Sequence, residues 1–274
     1  MMRRLPLTAA IFTATLALFG SGCGYLKARD ELNKGVASMR GAKFKDAAEH
    51  FKSAMELDPS WDVPRLYLAT SYMSQWIPGA ESPENQEFAK NAREGFLKVL
   101  ESSPQDKTSL ASLASMAFSE ATTGTLTPEE KNKKLDESAE WHKKHIAVEP
   151  TAEHYYSLAV INFTKWVPDW LGARSAAKMR QDEPGPLKDA KARAALKEKD
   201  GMLVDEAIGY LRKALELDPE YENAMAYLNL MLRQPADYLD SKEDYDKNIA
   251  EADQWLQKYL DTKKIKAERE AKKA

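Results

Sequence analysis

Two segments decide the fold: residues 46–59, DAAEHFKSAMELDP, and residues 205–219, DEAIGYLRKALELDP. Each places a small residue first (Ala47, Ala207) and a bulky one four positions later (Phe51, Leu211). A second small residue follows three later (Ala54, Ala214), then a proline five beyond that (Pro59, Pro219). Steps of four and three put these side chains on one helix face, and proline stops the helix because it has no N–H and restricts the residue before it. Gly35 and Phe44 extend the register upstream of the first segment. Ala, Leu, Lys and Glu dominate the chain and β-branched residues are sparse, so the class is all-α. The 40 basic and 43 acidic residues give a net charge of −3, an ordinary solubility charge with no support for nucleic-acid binding.

The register resembles the tetratricopeptide (TPR) repeat, a 34-residue helix-turn-helix unit. That resemblance implies an α-solenoid of about five units over residues 28–261, with loop insertions near 77–87 and 168–203. The first unit runs from about Ala28 to Pro59, with Glu31 and Ser38 where the family has aromatics. In the second, Leu68, Ala69 and Tyr72 match helix A, and Ala92, Phe96, Val99 and Pro104 match helix B. Ser138 and Pro150 hold the register in the third, whose second helix has Thr127 as its expected cap, followed by Pro128, Glu129 and Glu130. The fourth helix A echoes the second without a gap: SLAVINFTKWVP (157–168) aligns with YLATSYMSQWIP (67–78). Its insertion contains the breaker DEPGP (182–186) and a charged stretch, LKDAKARAALKEKDG, expected to form a surface helix stopped at Gly201, before helix B opens at Val204. The fifth unit follows to about residue 261, and 262–274 reads as a charged tail.

In TPR proteins the inner helices line a concave groove that holds a peptide or a partner's helix. Carried onto the first two units, the groove positions are Leu32, Val36, Met39 and Arg40, then Leu66, Thr70, Met73 and Ser74. The chaperone-binding subset uses Lys and Asn in a carboxylate clamp. Leu32 and Val36 stand at its first pair, which excludes that subset. The mixed, mainly apolar surface suits an amphipathic helix or extended segment, with methionine lending adaptability.

The N-terminus carries an address. Arg3 and Arg4 precede about fifteen mostly apolar residues, Leu5 to Phe19, the length of a signal-peptide core and shorter than the roughly 20 of a membrane span. Gly20, Ser21 and Gly22 then precede Cys23, the only cysteine, so no disulfide forms within the chain. The stretch resembles the lipobox of bacterial lipoproteins, with Gly20 where that family has Leu. The resemblance implies cleavage after residue 22, a lipidated Cys23, a short linker over 23–27 and, because Gly24 rather than Asp follows, residence in the outer membrane facing the periplasm. Gly20 and Gly22 also suit ordinary signal peptidase, which would leave a free thiol. Without the leader, 38 basic residues face 43 acidic ones, a net charge of −5.

Chemistry finds little footing. No G-x-S-x-G, H-E-x-x-H, P-loop or G-x-G-x-x-G is present. His142 and His145 share a helix face, but zinc needs three or four ligands and Lys143 and Lys144 oppose a cation. Neither an enzyme nor a cofactor or metal site is expected. Trp76 and Trp166 stand in equivalent places before Pro78 and Pro168. They either pack at the end of helix A or, with Trp170, form loop aromatics of a recognition surface. The expected function is a lipid-anchored periplasmic scaffold whose helix A groove binds another envelope protein, in the manner of the TPR lipoproteins of outer-membrane protein and type IV pilus assembly. The alternative is a carrier of a small apolar or glycan ligand held between the Trp loops and the groove.

Overall fold

The computed structural model describes residues 7–273, with side chains from Gly24 onward. The chain divides into two compact units, Met1–Thr125 and Leu126–Ala274. In the first lie α1 (Leu7–Arg40), α2 (Phe44–Leu57), α3 (Asp62–Gln75), α4 (Pro83–Ser102) and α5 (Lys107–Thr123). In the second lie α6 (Pro128–Val148), α7 (Ala152–Ala176), α8 (Ala190–Leu217), α9 (Glu222–Arg233), a 3-10 turn (Pro235–Tyr238) and α10 (Lys242–Ala271). The described residues contain only helices, turns and loops. The lipidation and leader-cleavage readings fall on residues 1–23, outside the described side chains. Residues 23–27, expected as a linker, continue α1.

The small-and-bulky register does what its spacing requires. A Cβ on Gly35 would stand 2.4 Å from the Phe51 ring, so only glycine lets α1 close onto α2. Phe51 is fully buried there and stacks on Tyr67 of α3, ring centroids 5.4 Å apart. Gly95 makes the same kind of approach between α4 and α3, its virtual Cβ 2.7 Å from the Ala69 methyl. Phe96 and Leu211, the bulky residues of the other matching helices, are also fully buried. Truncating such a phenylalanine to Ala costs about 3–5 kcal/mol. The expected stops hold at four sites. The C-caps Asp58, Ser103, Glu149 and Asp218 each directly precede a proline and each has left helical backbone angles. Asp58 and Asp218 then turn the chain, accepting from the backbone N–H of Ser60 and Glu220. Thr127 caps α6 in a reciprocal box with Glu130, as its spacing predicts.

Four expectations are corrected. Pro168 does not open an insertion: α7 runs through it to Ala176. Gly201 does not stop a surface helix: α8 is continuous over 28 residues from Ala190. Leu196, Asp200, Val204, Ala207 and Leu211 form one buried stripe across it, and that shared burial outweighs the cost of about 1 kcal/mol for glycine in a helix. The second insertion therefore contracts to residues 177–189. The first contracts to 76–82, because Ser82 caps α4 and Pro83 starts it. The C-terminal residues are not a free tail. Thr262 is buried, Lys266 Nζ donates to the Glu220 carbonyl at 2.7 Å, and Arg269 pairs with the Glu220 carboxylate at 2.8 Å, so α10 docks against the start of α9.

Candidate partner-binding faces

In the first unit the expected groove residues fall on α1 and α3, two helices in contact. Leu32, Val36 and Met39 are half-buried on α1, with Arg40 exposed beside them. Leu66, Thr70 and Met73 are half-buried on α3, with Ser74 exposed. The two hydroxyls are already used: Thr70 Oγ1 donates to the Leu66 carbonyl at 2.8 Å and Ser74 Oγ to the Thr70 carbonyl at 2.9 Å. What faces outward is mostly hydrocarbon and thioether, flanked by the Arg40 guanidinium.

A second face follows from the ungapped echo. Carried through that alignment, Leu66, Thr70, Met73 and Ser74 correspond to Tyr156, Val160, Phe163 and Thr164 on α7. All four are half-buried, and Thr164 Oγ1 donates to the Val160 carbonyl at 2.7 Å, the same back-bonding as in α3. Aromatic rings replace the methionines. Tyr156 meets Tyr221 and Tyr227 edge-on, both at 5.3 Å, and Phe163 meets Tyr227 edge-on at 5.1 Å. Burial, then the neighbouring Tyr227 and Tyr221, push the Tyr156 hydroxyl well above the ordinary tyrosine range, so it stays neutral.

The Trp pair is not what a loop surface requires. Trp166 is fully buried inside α7 and donates from Nε1 to Gln234 Oε1 at 3.1 Å. Trp170, one turn on, is 7 % exposed and donates to Asp237 Oδ2 at 2.7 Å. Arg174, a further turn on, gives that same oxygen a bond at 2.5 Å, with both charged side chains buried. Arg174 also donates to the carbonyls of Arg180 and Glu183, and the Leu187 N–H donates to the Asp237 carbonyl at 3.0 Å. Loop 177–189 is thus strapped to the 3-10 turn. A hollow of about 370 Å³ lies beside Trp170, Arg174, Leu230, Arg233 and Tyr245. Trp76 is half-buried as the C-cap of α3, the one member of the trio at a loop.

His142 and His145 are joined by His154 from α7. His142 Nδ1 lies 3.2 Å from His154 Nδ1, and the rings of His145 and His154 are tilted to each other with centroids 3.7 Å apart. Burial first, then the other two imidazoles, bring His142 down to about 4, and His154 is lowered for the same leading reason. His142 is therefore neutral near pH 7. Among the described residues no group of three or more His, Cys, Asp or Glu is placed to hold a metal ion. Nothing along either face supplies a nucleophile next to a base.

No protein-family model matches the chain, and no curated protein sequence does. Its backbone is similar to two crystal structures of MamA. One superposes with a TM-score of 0.53 at 15 % identity, covering 88 % of this chain and 94 % of that one. The other gives 0.52 at 15 %, covering 85 % and 96 %. TTC0263, a TPR protein of Thermus thermophilus, follows at 0.41 and 16 %, covering 75 % of this chain and 98 % of that one. At such identities the likeness concerns fold alone. The fold is all-α, built of TPR-like helical pairs.

Proposed function

We propose that this chain is a non-enzymatic scaffold, tethered by lipid at Cys23 to the periplasmic side of the outer membrane, that captures a segment of another envelope protein on its helix A faces. One observation carries the binding part. Equivalent positions of α1, α3 and α7 present half-buried apolar or aromatic side chains, while the hydroxyls among them are spent on their own helices. Such a face has hydrophobic contact to offer and few polar groups that demand a fixed ligand, which fits an amphipathic or extended peptide. The periplasmic and outer-membrane part is supported by the leader and Cys23 in the sequence. Among the described residues no helix is long and apolar enough to cross a membrane.

A photo-crosslinker at Val36, Met73 or Phe163 should capture a specific envelope protein in cells, and one at Lys90 on the exposed side of α4 should not. Equal capture from all four positions overturns the groove. Palmitate label retained in Cys23→Ser overturns the tether. The alternative, a carrier of a small apolar or glycan ligand, rests on the 370 Å³ hollow beside Trp170. A saturable change in Trp emission with such a ligand, lost in Leu230→Trp, would favour it.

A further inference from the structure

We infer that the end of the first unit where α1 emerges beside the α2–α3 turn is a membrane-contacting face, which seats in the headgroup layer of the bilayer and sets the height of the groove above it. This rests on the reading of a membrane tether at the N-terminus. Four large apolar side chains stand in water there: Leu26 at 67 % exposure, Tyr25 at 44 %, Val63 at 40 % and Leu57 at 39 %. Half-buried Trp61 joins them. They come from three helices and one turn, yet form one surface. A Cβ on Gly24 would lie 3.4 Å from the Leu57 carbonyl oxygen, which places the start of the described side chains of α1 against the end of α2. The Arg29 guanidinium spans the gap, 4.8 Å from the Tyr25 ring centroid and 5.7 Å from that of Trp61.

Chain length decides the occupant. Tyr25 is two residues beyond Cys23, a rise of about 3 Å along a helix. The headgroup layer is roughly 5–8 Å deep on each side of the hydrocarbon. Whether the tether is an acyl chain on Cys23 or the uncut apolar leader, Tyr25 and Leu26 cannot leave that layer while α1 is intact. The contacts of Gly24 and Arg29 bring Leu57 and Trp61 to the same end. Tyr and Trp favour this depth, and exposed Leu gains by entering it. Charge is not the attraction: Lys27 and Arg29 are matched by Asp30, Glu56, Asp58 and Asp62. The face should therefore work on zwitterionic phosphatidylcholine. Its consequence for function is positional. Leu32 to Met39 rise about 13–24 Å along α1 from Cys23, within reach of a segment lying close to the same membrane.

The test uses the full-length protein, expressed in a bacterial host and reconstituted into phosphatidylcholine vesicles with or without brominated acyl chains. The parent should float with the vesicles, and brominated lipid should quench part of its Trp emission. Trp61→Phe should lose most of that quenching, and Leu26→Glu/Leu57→Glu should lose it too while still floating. Floating protein whose emission ignores brominated lipid, or quenching unchanged in Trp61→Phe, overturns the membrane-contacting face and leaves the tether standing. Parent protein that stays at the bottom of the gradient overturns the tether, and the face falls with it.

Discussion

The α3–α4 and α7–α8 hairpins share one stretch of sequence and end it differently. At Trp76-Ile77-Pro78 the chain leaves its helix; at Trp166-Val167-Pro168 the helix continues for two more turns. In the first hairpin the leaving chain is caught by Asn85, a buried amide at the start of α4. Its Oδ1 accepts from the Ile77 N–H at 2.7 Å, and its Nδ2 donates to the carbonyls of Ile77 and Ala80 at 2.9 and 2.8 Å. In the second, the turns beyond Pro168 are held by Trp166 on Gln234 and by Trp170 and Arg174 on Asp237. Proline weakens a helix by a finite amount. Whether it ends one depends on which polar partners are waiting on either side.

The largest effect should come from removing the second set of partners. Asp237→Ala leaves a buried guanidinium and an indole N–H without their carboxylate. Breaking a buried pair in this way costs about 3–5 kcal/mol. Urea denaturation should show that loss, and hydrogen exchange should place it in the C-terminal turns of α7 and loop 177–189. A loss below about 1 kcal/mol would mean that α7 outlasts Pro168 for some other reason. Asn85→Ala should cost less, about 1–3 kcal/mol, because the Ile77 N–H and the Ala80 carbonyl lose their partner at a turn where water can reach some of the freed groups, while the Ile77 carbonyl keeps the Ala80 N–H. Its new exchange should be confined to residues 76–82. If α3 were instead to extend through Pro78 in this variant, the comparison would be confirmed in its strongest form.

The prolines themselves should respond with different magnitudes and in different places. Pro168→Ala restores an N–H to an interior turn of an exposed helix face and should raise stability by about 1–2 kcal/mol. Pro78→Ala, in a loop that Asn85 already organises, should change stability by about 0.5 kcal/mol or less. Equal responses of the two variants, read from melting curves under one buffer, would remove the distinction between the hairpins.

The helical pairs were legible because their signal is local. Gly35 with Phe51, and each proline with the cap before it, lie within one pair. The continuations of α7 and α8 were not, because their causes are distant: Trp166 reaches Gln234 across 68 positions and Trp170 reaches Asp237 across 67. No spacing rule joins those residues. Gly201 reads as a stop until Leu196, Asp200 and Val204 are seen to share a buried stripe. The α7 counterparts of the expected groove positions were within reach, since the echo that names Thr70 and Met73 also names Val160 and Phe163. His154 was not, because only the folding of α6 against α7 brings it to His142 and His145.

The histidines separate the two units by acid. In the first unit His50 faces a carboxylate, its Nδ1 2.7 Å from Glu31 Oε2. In the second, three imidazoles face one another, and the Glu153 and Glu149 carboxylates act on His154. His142 is held at about 4 against 6.5 when unfolded, so the unfolded chain binds its proton first. The stability it contributes is complete above pH 6.5 and drains away as pH falls towards 4. Allowing for screening at a partly exposed ring, the loss is on the order of 1 kcal/mol. Glu31 is lowered by Lys34 and then by His50, so its own contribution persists until pH drops below 4.5. Between pH 6.5 and 4.5 the second unit should therefore loosen while the first holds. Hydrogen exchange measured at pH 7, 6 and 5, corrected for intrinsic rates, should show protection falling around α6 and α7 and steady in α1 and α2. His142→Gln should flatten the pH dependence in the second unit. Matching losses in both units, or an unchanged slope in that variant, would show that the imidazole cluster is not what sets the difference.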